Sequence, residues 1–575
     1  MKTTNNLVGI VLLLTVAFAS AEIKNKGWWN QTVFYQIYPR SFQDSNNDGV
    51  GDLKGITSKL DHFNDIGVGA IWLSPIYKSP MVDFGYDIED FLEVDPVFGT
   101  SADLKELAAQ ARKKNIKLVL DLVPNHTADK HKWFQLSINR TGKYADYYIW
   151  NDGIIVNGTG ERLPPNNWVS VFNGSAWTWN EQRRQFYYHQ FYYQQPDLNY
   201  NNPDVQQEMK DVLKFWLDQG VDGFRIDAVP HLIENNITQD EPLFNNTYNT
   251  TLHASYNHIF TKDQPETYKL VQSWRDYVDQ YAREKNEAEK VILTEAYTSW
   301  EHTIEYYNSG AHVPFNFKFI VEANDNSKPA DFQNIINKWM QMMPKGQVPN
   351  WVMGNHDRVR LGTRYPGRED QMVMLEMLLP GVAVTYYGEE IGMLDDTELR
   401  IYDFRDGCRT PFQWDDTTNA GFSNASKTWL PVHKNYKELN LKKQKADAVS
   451  HYKLYKALTT MRKSNVLRNG NLSLAILNED VLAVVRNIPK EAVTLLINFS
   501  PEKSVTVNLT SILPYTNAKV TLTNVGSTVQ SNTNFASSKV TIPPKGSIVL
   551  HSGSSIASCS VLMILVLALG SYFRS

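Results

Sequence analysis

A rhythm limits what this chain can become more than any other feature. Eight short runs of apolar and β-branched residues, 33–38, 70–73, 117–123, 223–226, 291–294, 314–319, 351–353 and 382–386, alternate with helical patterns. In one of these patterns Leu104, Leu107, Ala108 and Ala111 recur at i, i+3, i+4 and i+7, which predicts a helix over 101–115 with Ser101 as its N-cap. Strands separated by helices pair in parallel, and eight such units predict an α/β chain closed into a (β/α)8 TIM barrel.

Two regions depart from the rhythm. Residues 127–202 are polar, aromatic and rich in Asn, Gly and Pro, too long for a loop, and read as a small domain inserted after strand three. Beyond 465 the pattern turns to short alternating strands (481–487, 492–498, 505–509, 518–522, 539–542), which predicts a C-terminal antiparallel β-sandwich over 466–551. The barrel is left with 22–126 and 203–465. Over 575 residues, 57 Lys and Arg face 62 Asp and Glu, a net charge of −5 with no long basic run. That balance excludes a nucleic-acid partner held by charge and points to a neutral ligand.

The ends speak to destination. Lys2, an apolar stretch over 7–18 and then Ala19-Ser20-Ala21 form the pattern of a cleaved secretory signal over 1–21. Residues 561–570 are apolar but only half the ~20 residues of a membrane span. Small residues precede them at 552–555. The arrangement over 552–575 fits a removed lipid-anchor (GPI) signal, which would leave the protein on the outer face of the plasma membrane. Asn-x-Ser/Thr acceptors at Asn30, Asn139, Asn157, Asn173, Asn236, Asn245, Asn249, Asn424, Asn471, Asn498 and Asn508 agree with a secreted, glycosylated chain. Only two cysteines are present, Cys408 and Cys559, too few for a disulfide framework. Cys408 reads as a small buried hydrophobe.

Reactive groups in a parallel barrel belong at the carboxyl ends of the strands. There the chain carries Asp121-Leu-Val-Pro-Asn125-His126, Gly223-Phe-Arg225-Ile-Asp227-Ala228, Thr294-Glu295-Ala-Tyr297 and Gly354-Asn355-His356-Asp357. Asp227, Glu295 and Asp357 are thereby expected at one mouth. Glycoside cleavage needs such a set, because its oxocarbenium-like transition state wants a proton on the leaving oxygen and negative charge beside the anomeric carbon.

These segments, with Gln195-Pro-Asp-Leu-Asn199 and Gly388-Glu-Glu-Ile-Gly392, resemble the signature regions of the α-amylase superfamily, glycoside hydrolase family 13, in its insect maltase and oligo-1,6-glucosidase branch. The resemblance implies Asp227 as nucleophile, Glu295 as acid and then base, and Asp357 as the group that binds substrate hydroxyls. Arg225 would keep the nucleophile ionised, Glu295 would need a raised pKa, and His126 and His356 would donate to sugar hydroxyls. Asp83 and Arg409, in Asp83-Phe-Gly-Tyr86 and Cys408-Arg409-Thr-Pro-Phe-Gln-Trp414, would pair to close the cleft behind a terminal glucose stacked on Tyr86, with Arg405 less suited to that role. A closed cleft implies exo action. The small Ala228 after the nucleophile leans toward α-1,4 substrates of the maltose type, with sucrose as a further candidate.

After strand one, Asp44-Ser-Asn46-Asn-Asp48-Gly-Val50-Gly-Asp52 places oxygen ligands at alternate positions, as a hard cation requires. The twelfth position is Gly55 rather than Glu, so this is not an EF-hand. The resemblance implies a structural Ca2+ held by Asp44, Asn46, Asp48, the Val50 carbonyl and Asp52, and no organic cofactor. It leaves open two other readings: a non-catalytic amino-acid transporter heavy chain, which would carry an internal N-terminal membrane helix, and a mainly glucosyl-transferring enzyme. Docking of bacterial toxins, known for some relatives, rests on the resemblance alone.

Overall fold

The computed structural model describes residues 22–244, 248–513 and 515–553; the expected leader and nearly all of the expected anchor signal lie outside the described residues. Eight parallel strands form one sheet: β1 (Val33–Ile37), β2 (Ala70–Leu73), β3 (Lys117–Leu122), β4 (Gly223–Ile226), β5 (Val291–Thr294), β6 (Val313–Pro314), β7 (Asn350–Val352) and β8 (Val382–Tyr386). Their order is β6-β5-β4-β3-β2-β1-β8-β7. Nearly every strand residue is buried, because Phe34, Trp72, Val119, Leu293, Val352 and Val384 fill the barrel while their neighbours meet the outer helices.

Strand six is shorter than its sequence run. Pro314 has no N–H to offer the ladder, and after it the chain turns into a short helix, Lys318–Val321. The seam this leaves beside β7 is bridged by one buried amide. Asn350 donates from Nδ2 to the Pro314 carbonyl at 2.6 Å and accepts the Asn316 N–H on Oδ1 at 2.8 Å. The first long helix runs Ser101–Lys113, and its N-cap is Thr100, not Ser101. The Thr100 hydroxyl accepts the Asp103 N–H while Asp103 accepts the Thr100 N–H, a reciprocal capping box that Ser101, one residue inside, has no geometry to make.

Between β3 and β4 lies a three-stranded sheet (Trp150–Asn151, Gln185–Tyr188, Trp177–Asn180) around Trp168, Trp177, Phe186 and Tyr188. It leans on the long loop after β4: Trp168 Nε1 donates to the Gln239 carbonyl and Asn166 Nδ2 to that of Ile237, both at 2.9 Å. The C-terminal part is a six-stranded antiparallel sheet with the pair Val505–Val507 and Val540–Ile542 laid on one face. Its other face, through Leu482, Val484 and Leu495, joins the barrel's helical core. The last strand, Ser547–Gly553, continues two residues past the expected boundary because Ser552 and Gly553 pair with Ala492 and Glu491. Asn498, expected as a glycan acceptor, is wholly buried and donates from Nδ2 to the carbonyls of Lys503 and Pro543, so its sequon is structural.

Candidate active site

Alternation along β4 decides the site. Phe224 and Ile226 face the helices, while Arg225 enters the barrel with its guanidinium 5.0 Å over the Trp72 ring. Three carboxylates from three strand ends surround that cation. Nη1 lies 2.9 Å from Asp121 and 2.5 Å from Asp227, and Nη2 lies 3.2 Å from Glu295. Asp227 and Glu295 therefore share one rim, held by adjacent nitrogens of a single fork. The turn after Asp227 is strained: Ala228 has φ 47°, a left-handed conformation rare for Ala. That conformation lets its N–H reach Glu295 Oε2 at 2.8 Å.

With three carboxylates on one cation, burial and mutual repulsion outweigh the pull of Arg225. Burial, then Glu295 and Asp121, raise Asp227 well above the usual carboxylate range. Burial likewise pushes Asp121 up to about 7. Asp121 and Asp227 thus share a proton more readily than separate carboxylates would, which differs from the expectation that Arg225 keeps Asp227 ionised. Asp357 goes the other way. Burial works to raise it, but His356, Arg405, Arg409 and Arg225 hold it well below the usual range. Burial pushes His356 itself down to about 3, so at neutral pH the guanidiniums supply this field.

The ring tautomers follow from their partners. Gln36 Nε2 lies 2.8 Å from His356 Nδ1, which accepts its proton, so Nε2 carries the ring hydrogen, 3.4 Å from Asp357. His126 lines the same cavity; its Nε2 proton goes to the Tyr86 carbonyl at 3.0 Å, and burial pushes its pKa down to about 4, so the neutral ring also braces the 83–86 turn. Tyr86 stacks on His356 with ring centroids 5.3 Å apart and donates its hydroxyl to Asp121.

The closed end is also built differently from expectation. Asp83 pairs with Arg405, at 2.9 Å, and not with Arg409. Arg405 also reaches Asp357 at 3.1 Å and Asp403 at 2.5 Å, so one guanidinium ties three carboxylates into a wall. Arg409 is held deeper, by the His356 carbonyl at 2.8 Å and Asp357 at 3.0 Å, beneath the ring of Tyr38. Gln195, noted in sequence only as a marker, donates to Asp83 at 3.2 Å. The resulting cavity, about 270 Å³, is lined by Asp83, Arg405, His356, Asp227, Glu295 and Asp357, together with Phe172, Phe191 and Phe404. The sequence placed Asp121 at a strand end without giving it a role and did not single out these phenylalanines, since their roles come from neighbours remote in the chain.

The loop after β1 presents oxygen donors only. Asp44 accepts the N–H groups of Asn46, Asn47 and Gly49, Asp48 that of Val50, and Asp52 caps the helix Leu53–Ser58 through Gly55. Among the described residues nothing donates to the Val50 carbonyl. This donor chemistry fits a hard cation. A second group, Asp279, Glu289 and His312, also converges, but His312 Nδ1 accepts the Ile292 N–H, so its Nε2 is protonated and is no metal ligand.

A closed barrel with acids gathered around a blind cavity at its carboxyl rim is the arrangement of a glycoside hydrolase. The profile of the alpha-amylase catalytic domain matches residues 36–470, and the chain belongs to the alpha-amylase family. It is 48% identical over 526 residues to Maltase 1 of Drosophila virilis, covering 87% of this chain and 83% of that protein. It is 43% identical over 475 residues to the human amino acid transporter heavy chain SLC3A1, covering 80% of this chain and 68% of that protein. Among solved structures it resembles the alpha-glucosyl transfer enzyme XgtA, with a TM-score of 0.78 and 32% identity, over 91% of this chain and 99% of that one.

The shared proton makes a pH prediction. Burial pushes Asp121 up to about 7 on the same cation as the nucleophile, so the pH profile of kcat/KM should carry an inflection with an apparent midpoint near there. Asp121→Asn removes one negative charge and favours ionisation of the rest, so that midpoint should move down. A pH profile of kcat/KM in which it stays put or rises would refute the coupling.

Proposed function

We propose that this protein is a retaining, exo-acting α-glucosidase that releases glucose from the non-reducing end of α-1,4-linked oligosaccharides, with sucrose as a further substrate. It is a glycoside hydrolase of the maltase type. The observation that carries the finer reading is the grip of Arg225 on Asp227 and Glu295 at 2.5 and 3.2 Å. Acids held by adjacent nitrogens of one fork favour the close spacing of double displacement, ~5–5.5 Å, over the ~6.5–9.5 Å of inverting enzymes.

In the first step Asp227 attacks the anomeric carbon while Glu295 protonates the departing glycosidic oxygen, giving a glucosyl ester and a free shorter sugar. In the second, Glu295 takes a proton from water, which displaces Asp227 and restores both groups. Asp357, ionised within its guanidinium cage, accepts hydrogen bonds from the glucose hydroxyls. The wall of Asp83, Arg405 and Asp357 leaves no room beyond one ring, which supports exo action. The transporter-type reading is disfavoured because the acids, the cation and the cavity are all in place.

We also infer that Asp44, Asn46, Asp48, the Val50 carbonyl and Asp52 hold Ca2+. The ion would fix the first βα loop, whose Asp44 already binds the Ser423 hydroxyl across the rim. The leader, the small-residue and apolar tail, and exposed sequons such as Asn139, Asn157 and Asn424 support a protein lipid-anchored outside the cell.

Three outcomes check these readings. Asp227→Asn should cut turnover by at least about 10⁴-fold with unchanged melting temperature, and the first glucose released by the native enzyme should be the α-anomer. A β-anomer would exclude the retaining mechanism. Chelation should lower the melting temperature by several degrees, with recovery on adding Ca2+ but not Zn2+. Treating cells that express the full chain with phosphatidylinositol-specific phospholipase C should release the activity; activity that stays on the cells would exclude the anchor.

A further inference from the structure

One polar residue outside the catalytic set occupies a place that packing alone does not explain. Along β1 the side chains of Phe34 and Gln36 lie on one face, two residues apart, and Gln36 stands in register with Trp72 of β2. The barrel interior on that face is filled by apolar groups, Phe34, Trp72, Val119 and Val384 among them, yet Gln36 is wholly buried. Its Nε2 lies 2.8 Å from His356 Nδ1 and 3.4 Å from Ser74 Oγ, while among the described residues nothing donates to its Oε1. A buried amide with an unpaired oxygen is less stable than a Met of the same reach would be at this position. What the chain gains there is the short bond to His356.

That bond settles what stacking leaves open. His356 lines the catalytic cavity, and its ring stacks on Tyr38 and on Tyr86 with centroids 5.8 and 5.3 Å away. Stacking fixes the plane of the imidazole. It is indifferent to which nitrogen carries the hydrogen, and to a half-turn that exchanges nitrogen for carbon at each edge of the ring. The two edges have different neighbours. Nε2 lies 3.4 Å from Asp357, a carboxylate held well below the usual range, which only accepts. Nδ1 meets a donor, the Gln36 amide, whose other near acceptor is Ser74 Oγ. With Nδ1 engaged in this way the ring hydrogen belongs to Nε2, and a half-turn would set a carbon against the Gln36 nitrogen.

We propose that Gln36 is a positioning residue for turnover: it holds His356 in the one tautomer and ring setting that presents an N–H to the glucose hydroxyls beside Asp357. The proposal rests on the glucosidase reading and adds to it a residue that does not itself line the cavity.

The test is a double-mutant cycle on kcat and KM for maltose, with melting temperatures, over the native protein, Gln36→Met, His356→Ala and the two combined. Gln36→Met keeps the length of the side chain and removes both the donor and the unpaired oxygen, so the melting temperature should hold or rise. kcat should nevertheless fall about tenfold while KM changes far less, because the lost setting matters most in the transition state. In the His356→Ala background the same substitution should cost nothing further, since the group it orients is gone. Should Gln36→Met fail to fold, Gln36→Asn, which keeps the amide but draws it back by one methylene, should give the same loss with the same dependence on His356. A native kcat in these variants, or a loss that persists in full without the imidazole, overturns the proposal. A native protein with no action on maltose would instead overturn the glucosidase reading.

Discussion

The guanidinium of Arg225, sealed within the barrel, is the constraint on which the rest depends. Its burial costs several kcal/mol and is tolerable only because three carboxylates and the face of Trp72 surround it. In return those acids, drawn from the ends of β3, β4 and β5, are brought together in a place none would occupy alone. Removing the cation would leave like charges facing one another in a dry interior, a loss of about 3–5 kcal/mol. Burial and mutual repulsion raise Asp121 and Asp227 against the pull of the one cation they share.

A second cation-centred cluster, a few ångströms away, does the opposite. Arg405 and Arg409 hold Asp357 below the usual carboxylate range and pair Asp83 and Asp403 as well, so every acid of the blind end has a guanidinium beside it. A neutral sugar can exchange hydrogen bonds with such a wall without leaving a charge stranded. The two clusters pull their acids in opposite directions: Asp121 and Asp227 are raised on one side, and Asp357 is held well below the usual carboxylate range on the other. His356 stands between them, neutral, its donor proton aimed at Asp357 because Gln36 occupies the other ring nitrogen.

The outlying parts serve the same rim. The small inserted sheet and the long loop after β4 support one another through Trp168 and Asn166, and Phe172 and Phe191 reach the mouth from that side. The C-terminal sheet meets the barrel through Leu482, Val484 and Leu495, away from the chemistry. Its strands are apolar on both faces because one side meets the barrel and the other its own small core.

Sequence alone determined the repeating strand and helix order, the ends at which reactive groups must lie, and the identity of Asp227, Glu295 and Asp357 as members of one constellation. Those follow from periodicity and from the fixed polarity of parallel strands, which are local properties. It also placed β2, β4, β5 and β8 to the residue, since each is a short apolar run with clear breaks. Other features were out of its reach. Thr100 rather than Ser101 caps a helix, Pro314 ends a strand early, Asn498 is buried, and His126 spends its proton on Tyr86. Above all, two arginines four residues apart, Arg405 and Arg409, look interchangeable in sequence, yet only Arg405 meets Asp83. Which of two like charges finds a distant partner depends on backbone direction and on what else each side chain must satisfy. Those quantities exist only once loops more than three hundred residues apart have been folded against each other.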